Sequence, residues 1–313
     1  MGREEMMNSA YLAISYICNQ KCSFCPCSKE EKTFKYMDFE ELKESVYKLK
    51  DELNITEVVL SGGEPTLHPD FLDIIYFLSD LNIKITLLTN AEKLCEEDFV
   101  EEISKKAKNN TITVVTTIHS QRENSHEHVN GSKGSFKRSI QGLKNVNKLG
   151  LHTIVKHCIT KENYKDLKEF FQFVDKTFPE SVDVQLCSID YCGLNEKNKN
   201  DYKVEFPQIR PYLENMFDEY IKNNSNNRLI YCFNMPLCSS DPFYWKFFTP
   251  KSSGYEGYIS PNREGESKRT YNVDSNVGLY TNSCEKCKAN KLCAGTYRTA
   301  FELFGDSIVK PYL

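Results

Sequence analysis

Short apolar runs rich in Val, Ile and Thr alternate with longer amphipathic stretches through the first two thirds of the chain. The runs are YLAISYI (11–17), TEVVLSG (56–62), KITLLTN (84–90), TITVVTTI (111–118), HTIVKHCI (152–159) and VDVQLCSI (182–189). Their brevity and β-branched content predict strands. Between them lie FEELKESVYKLKDEL, DFLDIIYFLSDL, EEDFVEEISKKAK, SFKRSIQGLKNVNKLG and NYKDLKEFFQFVDKTF, whose apolar positions recur at helical spacing. Asp38 is the expected N-cap of the first of these helices, and Ser135 and Asn163 are those of the last two. Gly150 is the expected stop of the fourth.

Strands joined by helices predict a parallel sheet with right-handed crossovers. Six such units fit an open or partial barrel, with chemistry expected at the C-terminal ends of the strands. The loops after the first three strands, which carry a cysteine cluster, SGGEPTLHPD and TNA, then fall on one rim. After about residue 225 the rhythm fails. NNSNN (223–227) reads as a linker, and the remainder of the chain is rich in turn residues and aromatics. The expected division is therefore 1–225 for the partial barrel and 226–313 for a small second domain. A segment so poor in periodic elements needs another source of order, and clustered thiols holding a metal would supply it.

With a formal net charge of −4, no general attraction to nucleic acid or to an anionic membrane is expected. No apolar stretch is long enough to span a bilayer, and the charged start MGREEMMNSA does not read as a signal peptide. The expected location is cytoplasmic, where disulfides are disfavoured, so the 13 cysteines point to metal or redox work. They are unevenly placed. Cys18, Cys22, Cys25 and Cys27 cluster early, and Cys232, Cys238, Cys284, Cys287 and Cys293 gather late. Of the rest, Cys95 and Cys158 read as small buried hydrophobes; Cys187 and Cys192 end the sixth strand and face the same rim, where a hydrogen-donor role stands beside an inert one.

Cys18, Cys22 and Cys25 stand at C-x3-C-x2-C spacing. Three close thiolates can hold three irons of a [4Fe–4S] cube and leave the fourth iron open to a ligand. Structural zinc is the alternative, although it prefers four ligands in paired C-x2-C hooks. This loop, read as CNQKCSFC with Phe24 before the last cysteine, together with SGGEP after the second strand, resembles the radical SAM superfamily over roughly residues 10–220. The resemblance implies that Cys18, Cys22 and Cys25 bind the cluster and that S-adenosylmethionine chelates its open iron. One-electron cleavage of the sulfonium would then give a 5′-deoxyadenosyl radical that abstracts hydrogen from the substrate. A small one-electron donor such as flavodoxin or ferredoxin is the implied partner.

On that reading Gly62 and Gly63 let backbone approach the cofactor, Glu64 orients the loop or accepts from the methionyl amine, and Pro65 stiffens its exit. Thr89 and Asn90 either contact adenosine or merely cap a turn. Ser120 is a candidate contact to ribose or carboxylate, with His119 beside it. His126 and His128 read as solvated loop histidines and are given no role. Cys27 reads as inert or structural.

CEKCKANKLCAGTY places Cys284, Cys287 and Cys293 at C-x2-C-x5-C spacing, and Cys238 upstream completes four ligands. Cys232 could replace Cys238, and zinc is again an alternative. This tail resembles a shortened SPASM or twitch module, which implies an auxiliary [4Fe–4S] cluster. Its PLC…CxxCxxxxxCxG pattern, with the HS/GSF stretch (119–136), is similar to His-Xaa-Ser-system peptide maturases. The implied function is radical modification of a ribosomally made peptide. One rival is a radical enzyme acting on a small metabolite, and another is a non-catalytic iron–sulfur or zinc protein. Eight aromatics, Phe233, Phe243, Tyr244, Trp245, Phe247, Phe248, Tyr255 and Tyr258, are candidate peptide anchors in the tail.

Overall fold

The computed structural model describes residues 8–29, 36–107, 112–194, 199–223, 227–249, 257–261, 267–269, 278 and 280–313. Each expected strand forms, within a few residues of its expected bounds. They are β1 (Ser9–Ala13), β2 (Glu57–Ser61), β3 (Lys84–Leu88), β4 (Ile112–Thr117), β5 (His152–Ile159) and β6 (Val182–Ser188). The tail adds β7 (Ile230–Phe233), β8 (Gly257–Pro261) and β9 (Ser267–Arg269). The sheet order is β7-β6-β5-β4-β3-β2-β1-β8-β9. Every neighbouring pair is parallel except β8 with β9. Among the described residues the two end strands do not pair, so the barrel stays open, as expected for a partial (β/α)6 fold.

The helices are α1 (Phe39–Leu53), α2 (Phe71–Asp80), α3 (Glu97–Lys106), α4 (Glu123–Asn130), α5 (Ser135–Lys148), α6 (Leu167–Thr177), α7 (Lys199–Tyr202), α8 (Phe206–Asn223) and α9 (Arg298–Phe304). In α1 the buried Leu42, Val46 and Leu49 form one stripe, and Asp38 caps the helix by accepting from the amides of Glu40 (2.9 Å) and Glu41 (3.2 Å). Gly150, at φ 75°, follows the last turn of α5 and donates to Asn147 O (2.9 Å), as a stop glycine does.

Other local expectations need correction. Gly134, not Ser135, is the N-cap of α5, while the Ser135 hydroxyl bonds Asn130 inside the fold. Asn163 stands at the N-cap position of the short 3-10 turn Tyr164–Asp166 that leads into α6, but makes no side-chain capping bond. Its side chain accepts from Thr160 N (2.8 Å) and donates to Cys158 O (2.9 Å) and His119 O (3.3 Å), tying β4 to β5. The HEHVN stretch is helix α4 rather than loop. His126 in it is 1% exposed, with Nδ1 accepting from His119 N (3.1 Å) and Asn130 Nδ2 at 2.9 Å from Nε2. Helix α8 was not anticipated, since Pro211 inside it breaks the usual pattern.

The expected linker (223–227) lies mostly outside the described residues, and Tyr255 does so entirely. β7 and β8, both beyond residue 225, extend the sheet at its two edges. The C-terminal stretch also docks on the ends of β6 and β7. Ser188 Oγ donates to Asn234 O (2.5 Å) and lies 3.3 Å from Thr296 Oγ1, while Thr299 Oγ1 donates to Asp190 (2.6 Å) and accepts from Tyr191 N (2.9 Å). Among the described residues no helix is long and apolar enough to cross a membrane.

Candidate functional site

The backbone brings the first two rim loops into contact. Pairing of β1 with β2 continues past both strands, as Ile14 N donates to Ser61 O (3.1 Å), Gly63 N to Ser15 O (2.6 Å) and Glu64 N to Ile17 O (2.8 Å). A Cβ on Gly62 would meet Ser15 O at 2.1 Å, and one on Gly63 would meet Ile17 O at 2.1 Å. Gly62 also holds φ 119°. A side chain at either position is therefore excluded by the chain's own segment 15–17, and glycine is what lets the two loops pack this closely.

Glu64 links the second and third loops. It is 1% exposed, and burial pushes its carboxyl above the usual range against the hydrogen bonds that favour the charged form. Oε1 accepts from Thr66 N (3.1 Å), Thr66 Oγ1 (2.7 Å) and Thr89 Oγ1 (2.6 Å), and Oε2 accepts from Asn90 N (2.7 Å). Of its two expected roles, orienting the loops is the one its hydrogen bonds serve. The Thr89 hydroxyl is likewise engaged, since it also accepts from Ala91 N (3.0 Å). Asn90 reaches the cysteine loop, with Nδ2 donating to Asn19 Oδ1 (2.7 Å) and lying 4.0 Å from Cys18 Sγ. Ser120 Oγ accepts from Arg122 N (3.1 Å), shaping the entry to α4.

The cysteine loop is braced from behind by residues with no sequence motif of their own. Lys21 N donates to Asn130 O (2.8 Å) and Ser23 N to Val129 O (2.9 Å), at the end of α4. Gln20 Nε2 donates to Glu92 Oε1 (2.8 Å), and Arg138 Nε donates to Glu92 Oε2 (2.7 Å). Tyr202 OH donates to Ser23 Oγ (2.5 Å) and packs edge-on to Phe24, which also meets the His119 ring edge-on at 5.4 Å. Phe24 is thus buried packing beneath the loop.

Cys18 is exposed, and Cys22 and Cys25 are half-buried. Burial, then the Glu64 carboxyl and Cys25, push Cys18 up to about 11, against a hydrogen bond from Gln20 N; burial and then Cys25 and Cys18 push Cys22 up. Neutral thiols crowded together in this way are what a cation would convert to thiolates. His119 Nε2 lies 3.9 Å from Cys22 Sγ, and its buried Nδ1 has no partner among the described residues. Burial holds this ring well below the usual histidine range. Cys27 Sγ donates to Gly62 O (3.3 Å), which fits a structural thiol.

In the tail, Cys238, Cys284, Cys287 and Cys293 line a single apolar cavity with Tyr280 and Phe301. Cys293 Sγ accepts from the amides of Leu237 and Gly295, both at 3.3 Å, an environment suited to a thiolate. Cys232 is elsewhere. It lies in β7 opposite Leu186 and is pushed up by burial alone, with no influence from the other tail cysteines. Among the described residues, no three His, Cys, Asp or Glu side chains gather closely enough for one metal ion; the ligands of a cube stand farther apart, one per iron.

A sequence-family model for the radical SAM superfamily matches residues 12–174, just over half of the chain. The chain belongs to the radical SAM superfamily. Members of this superfamily are enzymes, and membership implies a [4Fe–4S] cluster and S-adenosylmethionine. The chain is 27% identical over 226 residues to the "Probable GTP 3',8-cyclase" of Sulfurisphaera tokodaii, covering 71% of this chain and 69% of the cyclase. It is 23% identical over 158 residues to the mycofactocin maturase MftC of Mycolicibacterium smegmatis, covering 50% of this chain and 39% of MftC. Streptococcus suis SuiB bound to S-adenosylmethionine matches with a TM-score of 0.70 at 19% identity, over 97% of this chain and 77% of SuiB. SuiB bound to its precursor peptide SuiA matches at 0.67 and 18% identity, over 98% and 75%. At such identities these two structures show a common radical SAM fold.

The aromatic run of the tail packs chiefly as core. Phe247 stacks on Phe217 with ring centres 4.4 Å apart, Tyr244 stacks on the same ring at 5.6 Å, and Trp245 Nε1 donates to Leu237 O (3.0 Å). Phe248 is buried, and Phe243 alone among the described side chains of that run is largely exposed, at 62%. Among the described side chains of the run, exposure is therefore concentrated at Phe243.

Proposed function

We propose that this radical SAM enzyme cleaves S-adenosylmethionine reductively and takes a hydrogen atom from a ribosomally made peptide. The observation that carries the first half is the hydrogen-bonded union of three rim loops: Cys18–Cys25, Gly62–Glu64 and Thr89–Asn90. Cys18, Cys22 and Cys25 would hold the cluster, which when bound supplies the electron for sulfonium cleavage. The chain's own part is to shape the cradle. Glu64, Thr89 and Ser120 do so through hydrogen bonds within the rim loops, Gly62 and Gly63 by close backbone packing, and Phe24 by filling the space beneath. Asn90 and the 62–64 backbone are the groups left to meet the cofactor.

The tail, 226–313, is proposed as a twitch-like module in which Cys238, Cys284, Cys287 and Cys293 hold an auxiliary [4Fe–4S] cluster. Four ligands leave no open iron, so such a cluster would serve electron transfer and structure. Support for a peptide substrate comes from the likeness to MftC and to SuiB with SuiA. The likeness to the cyclase favours a second reading, a small metabolite such as a nucleotide.

The test is anaerobic protein with reductant and S-adenosylmethionine, scored for 5′-deoxyadenosine. Formation that is lost on replacing Cys18, Cys22 and Cys25 with Ala is the expected result, and an inactive, fully loaded wild type refutes the reading. Stimulation by short peptides encoded beside the gene, with a mass change in the peptide, selects the peptide; stimulation by GTP alone selects the metabolite.

A further inference from the structure

Cys158 and Cys187 are directly opposite one another in the parallel register of β5 and β6, and their sulfurs lie 3.5 Å apart. Parallel strands stand about 4.8 Å apart, within the Cα separation that a disulfide spans. Both residues are buried, at 8% and 1% exposure. They do not point toward the helical layer. His157, between Ile118 O and the Phe170 ring, marks that side of β5, and side chains alternate along a strand. Cys158 therefore shares the concave face with Lys156, and that face holds Tyr231 on β7, opposite Gln185. The electrostatic neighbours agree: Cys158 influences Cys22 of the cysteine loop, while Lys156 influences Cys158, Cys187, Tyr231 and Tyr297. The pair sits on the inner face of the barrel, within electrostatic reach of the cysteine loop.

We infer that Cys158 and Cys187 form a dithiol hydrogen donor to carbon radicals generated in the barrel. This rests on the radical reading above. A thiol S–H bond is weaker than an alkyl C–H bond, so transfer to a primary carbon radical runs downhill. In the step, the S–H bond of Cys158 breaks and a C–H bond forms, leaving a sulfur radical. Cys187 loses its proton to solvent, and its thiolate joins that sulfur in a three-electron S–S bond. Loss of one electron to an acceptor of the iron–sulfur class leaves the disulfide. The dithiol has then given up one hydrogen atom, one proton and one electron, and an external thiol restores it by exchange. The nearby Lys156 cation favours the anionic intermediate.

The test uses the full, cluster-loaded chain with S-adenosylmethionine and reductant in D2O, without substrate. Thiol hydrogens exchange with solvent, whereas carbon-bound ones do not. Deuterium is expected at the 5′ carbon of the 5′-deoxyadenosine formed, and a peptide pair linked through Cys158 and Cys187 is expected by mass spectrometry when no thiol is added. Cys158→Ser and Cys158→Ala should each lose the deuterium, and Cys187→Ser should lose the linked pair. The isotopic fraction is read in whatever product forms, so a slower variant still reports. Deuterium retained in both Cys158 variants, or absent from wild-type product, overturns this inference alone. If no 5′-deoxyadenosine forms at all, the radical reading falls and takes this inference with it.

Discussion

Cys18, Cys22 and Cys25 share one loop that Gln20, within it, ties to Glu92, and that Asn90 and the end of α4 hold from outside. Cys238 and the trio Cys284, Cys287 and Cys293 come from stretches separated by residues 239–283 and meet in an apolar cavity with little regular structure around it. Protein hydrogen bonds already fix the first loop, so a cluster proposed there would enter a preset geometry. The second would draw its order from the ligands themselves, since a metal joining distant chain segments contributes to folding directly. Proteins separate these roles for a physical reason. A reacting cluster needs an open side and a preset geometry, whereas a closed one can serve as a staple.

The largest expected effect tests that contrast. Structural metal binding contributes on the order of 10 kcal/mol, so Cys238→Ala and Cys284→Ala should lower thermal stability sharply in the cluster-loaded protein. Replacing Cys18, Cys22 and Cys25 together should leave the melting temperature nearly unchanged while removing about half of the iron. Calorimetry and iron analysis on the same samples read both. Equal losses of stability from the two sets would erase the distinction.

Next comes Glu64→Ala. It strands the amides of Thr66 and Asn90 and the hydroxyls of Thr66 and Thr89 in a buried place. Each buried donor left without its acceptor costs roughly 1–3 kcal/mol. Denaturant unfolding should show that loss, and 5′-deoxyadenosine formation should fall with it. Gly63→Ala is expected to cost about 1–3 kcal/mol, because its Cβ would press on backbone rather than on a yielding side chain.

The difference between the two regions also explains what the sequence made legible. Six strands could be read because β-branched runs were punctuated by helices, and the two cysteine groups because their spacing is local. Cys238 was preferred to Cys232 only on the resemblance of its PLC pattern, and the fold separates the two physically, placing one on the cavity and the other in a strand. Glu92, Arg138 and Gln20 were missed because each is an ordinary polar residue until a partner distant in sequence meets it. His126 was read as solvated because HEHVN read as loop and offered no third metal ligand, yet Asn130 and the His119 amide give its ring partners inside the fold. The tail strands β7, β8 and β9 are short, and their pairing depends on edges already built by others.

A smaller effect should appear on acidification, and it belongs to the barrel rather than to the tail. Burial lowers His126 and His157 to about 4. An unfolded histidine takes up its proton near pH 6.5. Between these values the unfolded chain binds more protons, so stability rises with pH there. The contribution is complete above about pH 6.5, is lost progressively as pH falls toward 4, and levels off below that. At pH 5.5 each residue should account for about 1 kcal/mol of loss. His157→Gln should flatten its share of the profile in urea titrations at stepped pH; an unchanged slope would mean that the ring is not held neutral in the fold.

The smallest effect belongs to Phe243, because the aromatic run divides the tail itself. Phe247 stacks between elements of the core, and truncating it to Ala should cost about 3–5 kcal/mol. Phe243 lies mostly in solvent, and Phe243→Ala should stay within about 0.5 kcal/mol of wild type. That near-neutrality makes Phe243 useful. If the exposed ring anchors a peptide, its loss should raise KM for the peptide while leaving kcat alone, because it removes binding shared by the ground and transition states. If the ring is only the outer edge of a packed cluster, neither constant will move, and any peptide must be gripped by the barrel rim instead.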